Sequence, residues 1–315
     1  MTKVTISRRA ALVGAAALPA VAAVGSGLAQ AAAPLVGAAQ TPFARFKLGS
    51  FEVTTLLDGS RTVPEPQNIF GMNVGADEFA QASQNAFIPA DKAKFFFTPT
   101  LINTGTELVL FDTGLGGDNG NLEAAMAQAG YRMDQVDIVV ITHMHPDHIG
   151  GLMVKGDPAF PNARYVTGEV EYNFWTTKGA ENRVGQMVAK LVTPQAEKMS
   201  FVKDGDAVVS GITAVEAYGH TPGHMCYMVE SDGQQLMLIA DATNHYVWSL
   251  AYPDWEVKFD GDKAAAAATR RKLLGMLATD RIPFIGYHMP FPALGYVETR
   301  DKGFHYVPAS YQLLL

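Results

Sequence analysis

The chain has 315 residues, of which 48% are hydrophobic and 17% charged, and its formal net charge is −7 at pH 7. This composition excludes a disordered or fibrous protein, and the acidic balance argues against nucleic acid as a partner or substrate. Cys226 is the only cysteine, which excludes an intrachain disulfide and a cluster of thiolate metal ligands.

Residues 1–33 have the composition of a targeting segment rather than of a folded domain. Arg8 and Arg9 precede an apolar run rich in alanine, and Ala29-Gln30-Ala31 offers a cleavage site of small residues. Paired arginines before a weakly apolar run resemble a twin-arginine export signal. The alternative, a membrane-anchoring helix, is disfavoured because Pro19 and several glycines interrupt the run. We expect cleavage and export to the periplasm or the medium, with no stable membrane span in the mature protein.

Residues 34–315 show no repeat, linker or change in composition, which favours one domain. Runs with strand character alternate with helical segments, and Lys263–Ala278 is the clearest predicted helix. Residues 60–94 are predicted to form a long polar loop with a short helix, and Val166–Lys178 is predicted to be a helix. The strands predict two β-sheets that face each other, with helices outside.

Four groups able to bind a transition metal lie within six positions, directly after an apolar strand: His143, His145, Asp147 and His148. His143 and His145 are two residues apart, so they point the same way in extended backbone. Pro146 then ends the strand, and the turn brings the next two side chains back toward the same point. Imidazole and carboxylate are ordinary metal ligands, whereas a polar turn without metal would not explain so dense a cluster.

Three more candidate ligands each follow an apolar strand, as the cluster does. His220, Asp241 and His288 stand at the carboxyl ends of their predicted strands. Taken singly, Asp241 could be a capping aspartate and His288 a buried, hydrogen-bonded histidine. Strand ends that converge on one rim would instead place all seven groups on rigid elements. Seven ligands suit two metal ions about 3.5 Å apart better than one tetrahedral ion.

The pattern H-x-H-x-D-H, followed by three spaced ligands, resembles the metallo-β-lactamase superfamily from residue 43 to the end of the chain. The resemblance implies an α+β fold, the four-layer αββα sandwich. It implies a first metal held by His143, His145 and His220, a second held by Asp147, His148 and His288, and Asp241 as the bridge.

The same resemblance implies roles for two residues behind the ligands. Asp112, in Asp112-Thr113-Gly114, matches a strand-ending aspartate that hydrogen-bonds a metal-binding histidine. Its alternative is an ordinary aspartate at a strand end. His224 is expected to orient its loop through hydrogen bonds and is not counted as a ligand.

Within the superfamily, the sequence around the candidate ligands resembles that of methyl parathion hydrolase and those of N-acyl-homoserine-lactone and dihydrocoumarin lactonases. The similar stretches are Thr142–Val154, Gly219–Ser231 and His288–Pro308. The loop 115–121 lacks the aromatic rings that organophosphate-hydrolysing relatives place near the entrance, so phosphotriester hydrolysis is the alternative rather than the first expectation. The resemblance also suggests a homodimer.

The chemistry expected of such a site is direct hydrolysis. A hydroxide that bridges two divalent ions would attack a lactone or an aryl ester, and Asp147 would orient it and move a proton to the leaving group. Zinc is the expected metal, although Mn, Co or Fe would also suit these ligands. Two readings from other classes remain open: a sulfur dioxygenase with one iron, and a metal-dependent binding protein without activity.

The substrate is expected to be a small uncharged lactone or ester. Trp175, Phe291 and Phe97 are the aromatic residues predicted to form an apolar wall over the metals, with core packing as the alternative for each. Clustered basic residues that would bind an anionic substrate are not visible near the carboxyl-terminal end.

Overall fold

A computed structural model describes residues 39–177 and 180–314; the predicted export signal lies outside them. The strands are β1 Phe43–Leu48, β2 Phe51–Leu56, β3 Gly59–Pro64, β4 Lys92–Phe97, β5 Thr100–Asn103, β6 Leu108–Phe111, β7 Ile138–Ile141, β8 Met153–Val154, β9 Asp157–Pro158, β10 Arg164–Gly168, β11 Met199–Val202, β12 Ala207–Val209, β13 Ile212–Glu216, β14 Met225–Ser231, β15 Gln234–Ala240, β16 Phe284–Gly286, β17 Leu294–Arg300 and β18 Gly303–Pro308. The α-helices are α1 Ala76–Asn85, α2 Leu122–Gln128, α3 Pro146–Ile149, α4 Glu169–Thr176, α5 Arg183–Leu191 and α6 Lys263–Asp280.

Two seven-stranded sheets form the centre of the molecule. The first has the strand order β1-β2-β5-β6-β7-β10-β11, and the second runs in sequence order from β12 to β18. Both are mixed: β6, β7, β10 and β11 run parallel to one another, and β15 pairs with β16 in parallel. The parallel strands bring several carboxyl ends to the same edge of each sheet, which is where polar side chains can gather.

Alternating side chains of the central strands serve two different cores. In β7, Ile138 and Val140 belong to the cluster between the sheets, whereas Val139 and Ile141 belong to the cluster under the helices. This division follows from the two-residue period of a strand. It also explains why the strand has no polar residue, because both of its faces are buried.

Helices cover the outer faces of both sheets. The cluster on the outside of the first sheet includes residues of α2, α3, α4 and α5. On the other side, α6 packs against β17 and buries Leu273, Leu274 and Leu277. Asp262 accepts a hydrogen bond from the Ala265 amide at the start of α6, as an N-cap residue does. The layers are helix, sheet, sheet and helix, so the predicted αββα sandwich is confirmed.

A third cluster, here called the aromatic cap, lies beside the sandwich. It contains Phe70, Phe79, Trp248 and Trp255, together with residues of the β3–β4 hairpin. The rings of Phe79 and Trp248 stack with centroids 4.9 Å apart. Because the hairpin and α1 have little core of their own, these aromatic rings supply the buried surface that holds them.

Two parts of the sequence-based prediction were wrong. Residues 60–94 contain the predicted short helix, α1, but also most of β3 and half of β4, which pair with each other rather than forming a loop. The predicted helix Val166–Lys178 begins three residues later, because Val166 to Gly168 complete β10 between β7 and β11. Propensity could not separate the two halves, since a buried parallel strand and a buried helix are both apolar.

In the part of the chain that is described, none of the helices combines the length and the apolar character needed to span a bilayer.

The aromatic cap generates a test of stability. The Trp248 indole N–H donates to Ser83 Oγ at 2.9 Å, and both side chains are buried. Ser83→Ala leaves that donor without its partner, so we expect the free energy of unfolding to fall by about 1–3 kcal/mol in urea denaturation. Ser60→Ala, at an exposed position of β3, is the matched control. An equal, small effect of the two substitutions would contradict the role given to this contact.

Candidate metal centre

The seven predicted ligands lie at the carboxyl ends of four strands. His143 follows β7, His220 follows β13 after a short loop, Asp241 directly follows β15, and His288 follows β16. The remaining three lie in or beside the short helix α3, which begins at Pro146. Proline suits this first helical position because its fixed φ is helical and its missing N–H would be unpaired there.

Three histidines bring one ring nitrogen each to a common point. His145 Nδ1 lies 3.2 Å from His143 Nε2 and 2.9 Å from His220 Nε2. A tetrahedral ion with metal–nitrogen bonds of about 2.0–2.1 Å would hold two ligands about 3.3 Å apart. The first predicted triad is therefore assembled at close to ligand spacing.

A second group forms around Asp147. Its Oδ2 lies 3.3 Å from His288 Nε2 and 3.7 Å from His148 Nε2. The Tyr287 hydroxyl donates to the Asp147 carbonyl at 2.6 Å, which fixes α3 against the end of β16. The second predicted triad is therefore also brought together.

The Asp241 carboxylate lies between the two triads. Its Oδ2 is 3.4 Å from His220 Nε2 and 3.2 Å from His288 Nε2, and its Oδ1 is 3.4 Å from His148 Nε2. It is the one described carboxylate that contacts histidines of both groups. This is the position expected of a bridging ligand.

Two buried polar atoms show that these residues fit metal ions. Among the described residues, His148 Nε2 and Asp241 Oδ1 are fully buried and have no hydrogen-bond partner. Leaving such atoms unpaired costs free energy, which coordination would recover. Five imidazoles and two carboxylates, without a thiolate, form a donor set that suits two divalent ions of the zinc type.

Asp112 occupies the position that the sequence predicted for it. It accepts hydrogen bonds from the Thr142 amide, from the Thr142 hydroxyl and from His148 Nδ1, each at 2.8 Å. The Thr142 hydroxyl oxygen lies 3.1 Å from His143 Nδ1 and can accept a hydrogen bond from its N–H. Asp112 therefore holds the Nδ1 atom of His148 directly and that of His143 through Thr142, which leaves the Nε2 atoms of both rings free to act as ligands.

The other two oriented histidines have partners that the sequence did not reveal. His220 Nδ1 lies 2.9 Å from Asp260, which also pairs with Arg270 at 2.8 Å. His288 Nδ1 donates to the carbonyl oxygen of Phe96 at 2.8 Å. Asp260 lies in an irregular segment and Phe96 contributes only backbone, so neither gives a periodic or motif signal.

His224 is buried among the ligands but hydrogen-bonds backbone. Its Nε2 accepts from the Asp241 amide at 3.1 Å, where Asp241 leaves β15. Burial lowers the pKa of His224 to about 3, so the ring is neutral and can accept that bond. It orients the backbone at Asp241.

The pKa shifts of four candidate histidine ligands go in two directions, because burial lowers the pKa and neighbouring carboxylates raise it. Burial lowers the pKa of His143 well below its ordinary value and that of His145 to about 3, which favours the neutral form that binds metal. Burial acts in the same direction on His148 and His288, but the neighbouring carboxylates, Asp241 above all, outweigh it. They raise the pKa of His288 to about 10 and that of His148 well above its ordinary value.

A cavity of about 340 Å³ opens beside His288. Its walls include Phe96, Tyr246 and Trp248, with Lys92 and Lys94 among the exposed residues of the rim. None of the three aromatic residues predicted from the sequence is among its lining residues. Phe96 and Pro290, which directly precede Phe97 and Phe291 in the sequence, do line it.

The three predicted aromatic residues have other surroundings. Trp175 is buried in the core under the helices, and its indole N–H donates to Glu171 at 2.7 Å. Phe97 is buried with its ring edge-on to His288, 5.4 Å between centroids, and Phe291 lies 6.5 Å from Phe96. Core packing, the alternative given for each, describes Trp175 and Phe97.

His245 is a cavity residue that the sequence analysis missed. Its Nδ1 accepts hydrogen bonds from the amides of Val247 and Trp248 at 3.1 and 3.2 Å, so the ring proton is on Nε2. Burial lowers its pKa to about 3, which keeps the ring neutral. Its position four residues after Asp241, in an irregular segment, carried no signal of a strand end.

The chain is similar to several proteins of known family or structure. An N-acyl homoserine lactonase from Bacillus cereus is 25% identical over 164 residues, which are 51% of this chain and 60% of that protein. The structure of AidC, described as a dizinc quorum-quenching lactonase, matches with a TM-score of 0.80 and 28% identity, over 85% of this chain and 98% of that one. The hydrolase AbOPH matches with a TM-score of 0.80 and 25% identity, over 87% and 99%.

The family itself follows from the match to the model of the metallo-beta-lactamase superfamily, which covers residues 98–283. That range includes the first six predicted ligands and Asp112, and it ends five residues before His288. The chain spans about 60% of the length of the lactonases matched by sequence. With its four layers and its two triads joined by one aspartate, the chain belongs to the metallo-beta-lactamase superfamily.

Proposed function

We propose that the protein is a dinuclear metal hydrolase that opens lactones or cleaves aryl esters. The observation that carries this proposal is the place of Asp241, whose carboxylate faces both triads of candidate ligands. The named activity of the relatives supports the substrate class, because both sequence relatives and AidC are lactonases.

In this proposal His143, His145 and His220 hold the first ion, Asp147, His148 and His288 hold the second, and Asp241 bridges them. Zinc is the metal proposed. When bound, two such ions would lower the pKa of a bridging water so that hydroxide is supplied at neutral pH. The chain itself provides the imidazoles of His148, His220 and His288, whose orientation is fixed by Asp112, Asp260 and the Phe96 carbonyl, respectively.

Asp147 is the residue proposed to move protons. Burial alone would raise the pKa of its carboxyl, but His148 and His288 lower it to about 2, so the carboxylate is ionised at neutral pH. Its side chain remains 23% exposed, so a leaving group can reach it. An ionised, accessible carboxylate beside the reacting centre can accept a proton and pass it to a departing alkoxide or phenoxide.

The cavity supports an uncharged substrate with an apolar substituent. Its aromatic and proline side chains offer apolar contact, and polar groups are few apart from His245, His288 and the exposed lysines of the rim. Phosphotriesters are kept as a second substrate class. The loop 115–121 has no aromatic rings, but Phe96, Tyr246 and Trp248 supply aromatic walls from other segments. The intact second triad speaks against a mono-iron dioxygenase.

Two further proposals concern the whole protein. Export by a twin-arginine signal rests on residues 1–33, which are outside the described part of the chain. A homodimer rests on the resemblance alone.

The function is tested by a hydrolysis screen on zinc-loaded protein, with lactones, aryl esters, phosphotriesters and a β-lactam. We expect lactones or aryl esters to be turned over, with two zinc ions per chain measured on the same sample.

Asp147→Asn is expected to lower kcat by about 100- to 10,000-fold because the proton shuttle is lost. Lys155→Ala, on the exposed turn between β8 and β9, is the matched control and should change little. Activity that survives Asp147→Asn would belong to another site or a contaminant.

The pKa values predict proton release when zinc binds. His148 and His288 have raised pKa values, so both are protonated near pH 7, whereas a ligand imidazole must be neutral. Zinc must displace these protons, and its affinity should therefore rise with pH up to the pKa of His288, about 10. Titration calorimetry in buffers of different ionisation enthalpy measures the release, and His288→Ala should release one proton fewer. Uptake of zinc without proton release at neutral pH would contradict this account.

A further inference from the structure

Glu171, in the first turn of α4, is a buried carboxylate that the proposed chemistry does not use. It lies on α4, is fully buried, and is neither a candidate ligand nor a lining residue of the cavity. Among the described residues, no lysine, arginine or histidine forms an ion pair with it. Burying an unpaired charge is costly, so the groups around it need an explanation.

Four hydrogen bonds use the full accepting capacity of this carboxylate. Oε1 accepts from the Met144 amide at 2.8 Å and from the Trp175 indole at 2.7 Å. Oε2 accepts from the Thr221 hydroxyl at 2.7 Å and from the Gly223 amide at 3.0 Å. All four partners are donors, which is the arrangement that suits an ionised carboxylate with two lone pairs on each oxygen.

Three of these donors lie in the loops that carry the first triad. Met144 stands between His143 and His145, so its amide fixes the backbone that presents both rings. Thr221 and Gly223 follow His220 directly, on a segment that belongs to the other sheet. The single carboxylate therefore joins, from behind, the two chain segments that supply His143, His145 and His220.

The fit between these segments is close enough to make the contact specific. A Cβ added at Gly223 would lie 2.1 Å from the Glu171 amide nitrogen and 2.5 Å from its Cα. The loop after His220 thus packs directly against the start of α4. Any residue with a side chain at position 223 would clash there and keep its backbone amide from reaching Glu171 Oε2. The Trp175 ring also lies against His145, 6.3 Å between centroids, while its N–H is held by Glu171.

The second triad has no such connection. Its members are held by Asp112 behind His148, by the Phe96 carbonyl behind His288 and by the Tyr287 hydroxyl behind Asp147. None of these contacts involves Glu171. A change at Glu171 would therefore act on one triad and leave the other in place.

We propose that Glu171 is a positioning residue of the three-histidine subsite: it sets the affinity of that subsite for a divalent ion by locking its two loops together, without touching the ion. This inference rests on the proposed function, because it assumes that the triads hold metal. Glutamine at this position keeps the shape but turns an NH₂ group toward two donors. The two loops then lose their common acceptor, and the three ring nitrogens lose their spacing.

The test measures zinc affinity one subsite at a time. His288→Ala weakens the second subsite and leaves the three-histidine subsite, and His145→Ala does the reverse. Glu171→Gln is added to each background, and the dissociation constant for zinc is measured by competition with a chromophoric chelator. We expect the affinity of the three-histidine subsite to fall by about 10- to 100-fold, as for other groups that orient metal ligands. The affinity of the second subsite should stay within about twofold.

The matched control is Glu169→Gln, the same chemical change two residues earlier on the same helix. Glu169 is partly exposed and pairs only with Lys203 at the surface, so its substitution should leave both affinities unchanged. An unchanged three-histidine subsite in Glu171→Gln, or an equal loss in both subsites, would overturn the proposal. The second result would mean general destabilisation.

If Glu171→Gln does not fold, Thr221→Val carries the test. It removes one of the four donors with little change in volume, and a smaller loss confined to the three-histidine subsite is expected. An equal effect on both subsites would again overturn the proposal. Failure of the proposed function has a different signature, because wild-type protein that binds two zinc ions but turns over no lactone would leave these affinity measurements valid.

Discussion

The interaction on which the site depends is the contact of one buried carboxylate, that of Asp241, with histidines from two separate groups. In the described chain its two oxygens face His148, His220 and His288 at 3.2 to 3.4 Å. A carboxylate and several imidazoles packed so closely out of water need positive charge in a fixed place. Two divalent ions would supply that charge, and the remaining three candidate ligands, His143, His145 and Asp147, lie within the same groups.

The fold makes this concentration of polar groups tolerable. Two of the strands that precede candidate ligands, β7 and β16, are apolar and buried on both faces, so the free-energy cost of burying the site is offset by the burial of apolar side chains in two hydrophobic cores. Behind the ligands lie further buried carboxylates with distinct tasks: Asp112 and Asp260 fix ring orientation, and Glu171 fixes backbone. The candidate metal centre is thus one end of a hydrogen-bonded layer of buried polar groups within the sandwich.

Much of this arrangement could be predicted from the sequence, because short local patterns of residues indicate it. The density of His143, His145, Asp147 and His148 after an apolar strand pointed to a metal, and the strand ends before His220, Asp241 and His288 pointed to one rim. The αββα sandwich followed from the resemblance that these motifs carry. The structure brings all seven groups together.

What the sequence could not supply depends on contacts between distant segments. Glu171 looked like any acidic residue of an amphipathic helix, since its four partners come from three separate stretches. The sequence predicted Trp175, Phe97 and Phe291 as an apolar wall over the metals, and it did not indicate that Phe96 lines the cavity beside His288. Phe96 and Phe97 are adjacent in β4, and adjacent residues of a strand face opposite sides. The polar composition of residues 60–94 did not indicate the β3–β4 hairpin. Without that hairpin, the sequence could not show which of the two phenylalanines faces the cavity.

The most direct measurement is a crystal structure of the zinc-loaded protein with anomalous data on both sides of the zinc edge. The account predicts two anomalous peaks about 3.5–4 Å apart, with the Asp241 carboxylate coordinating both. A single peak, or two peaks of which Asp241 touches only one, would contradict it.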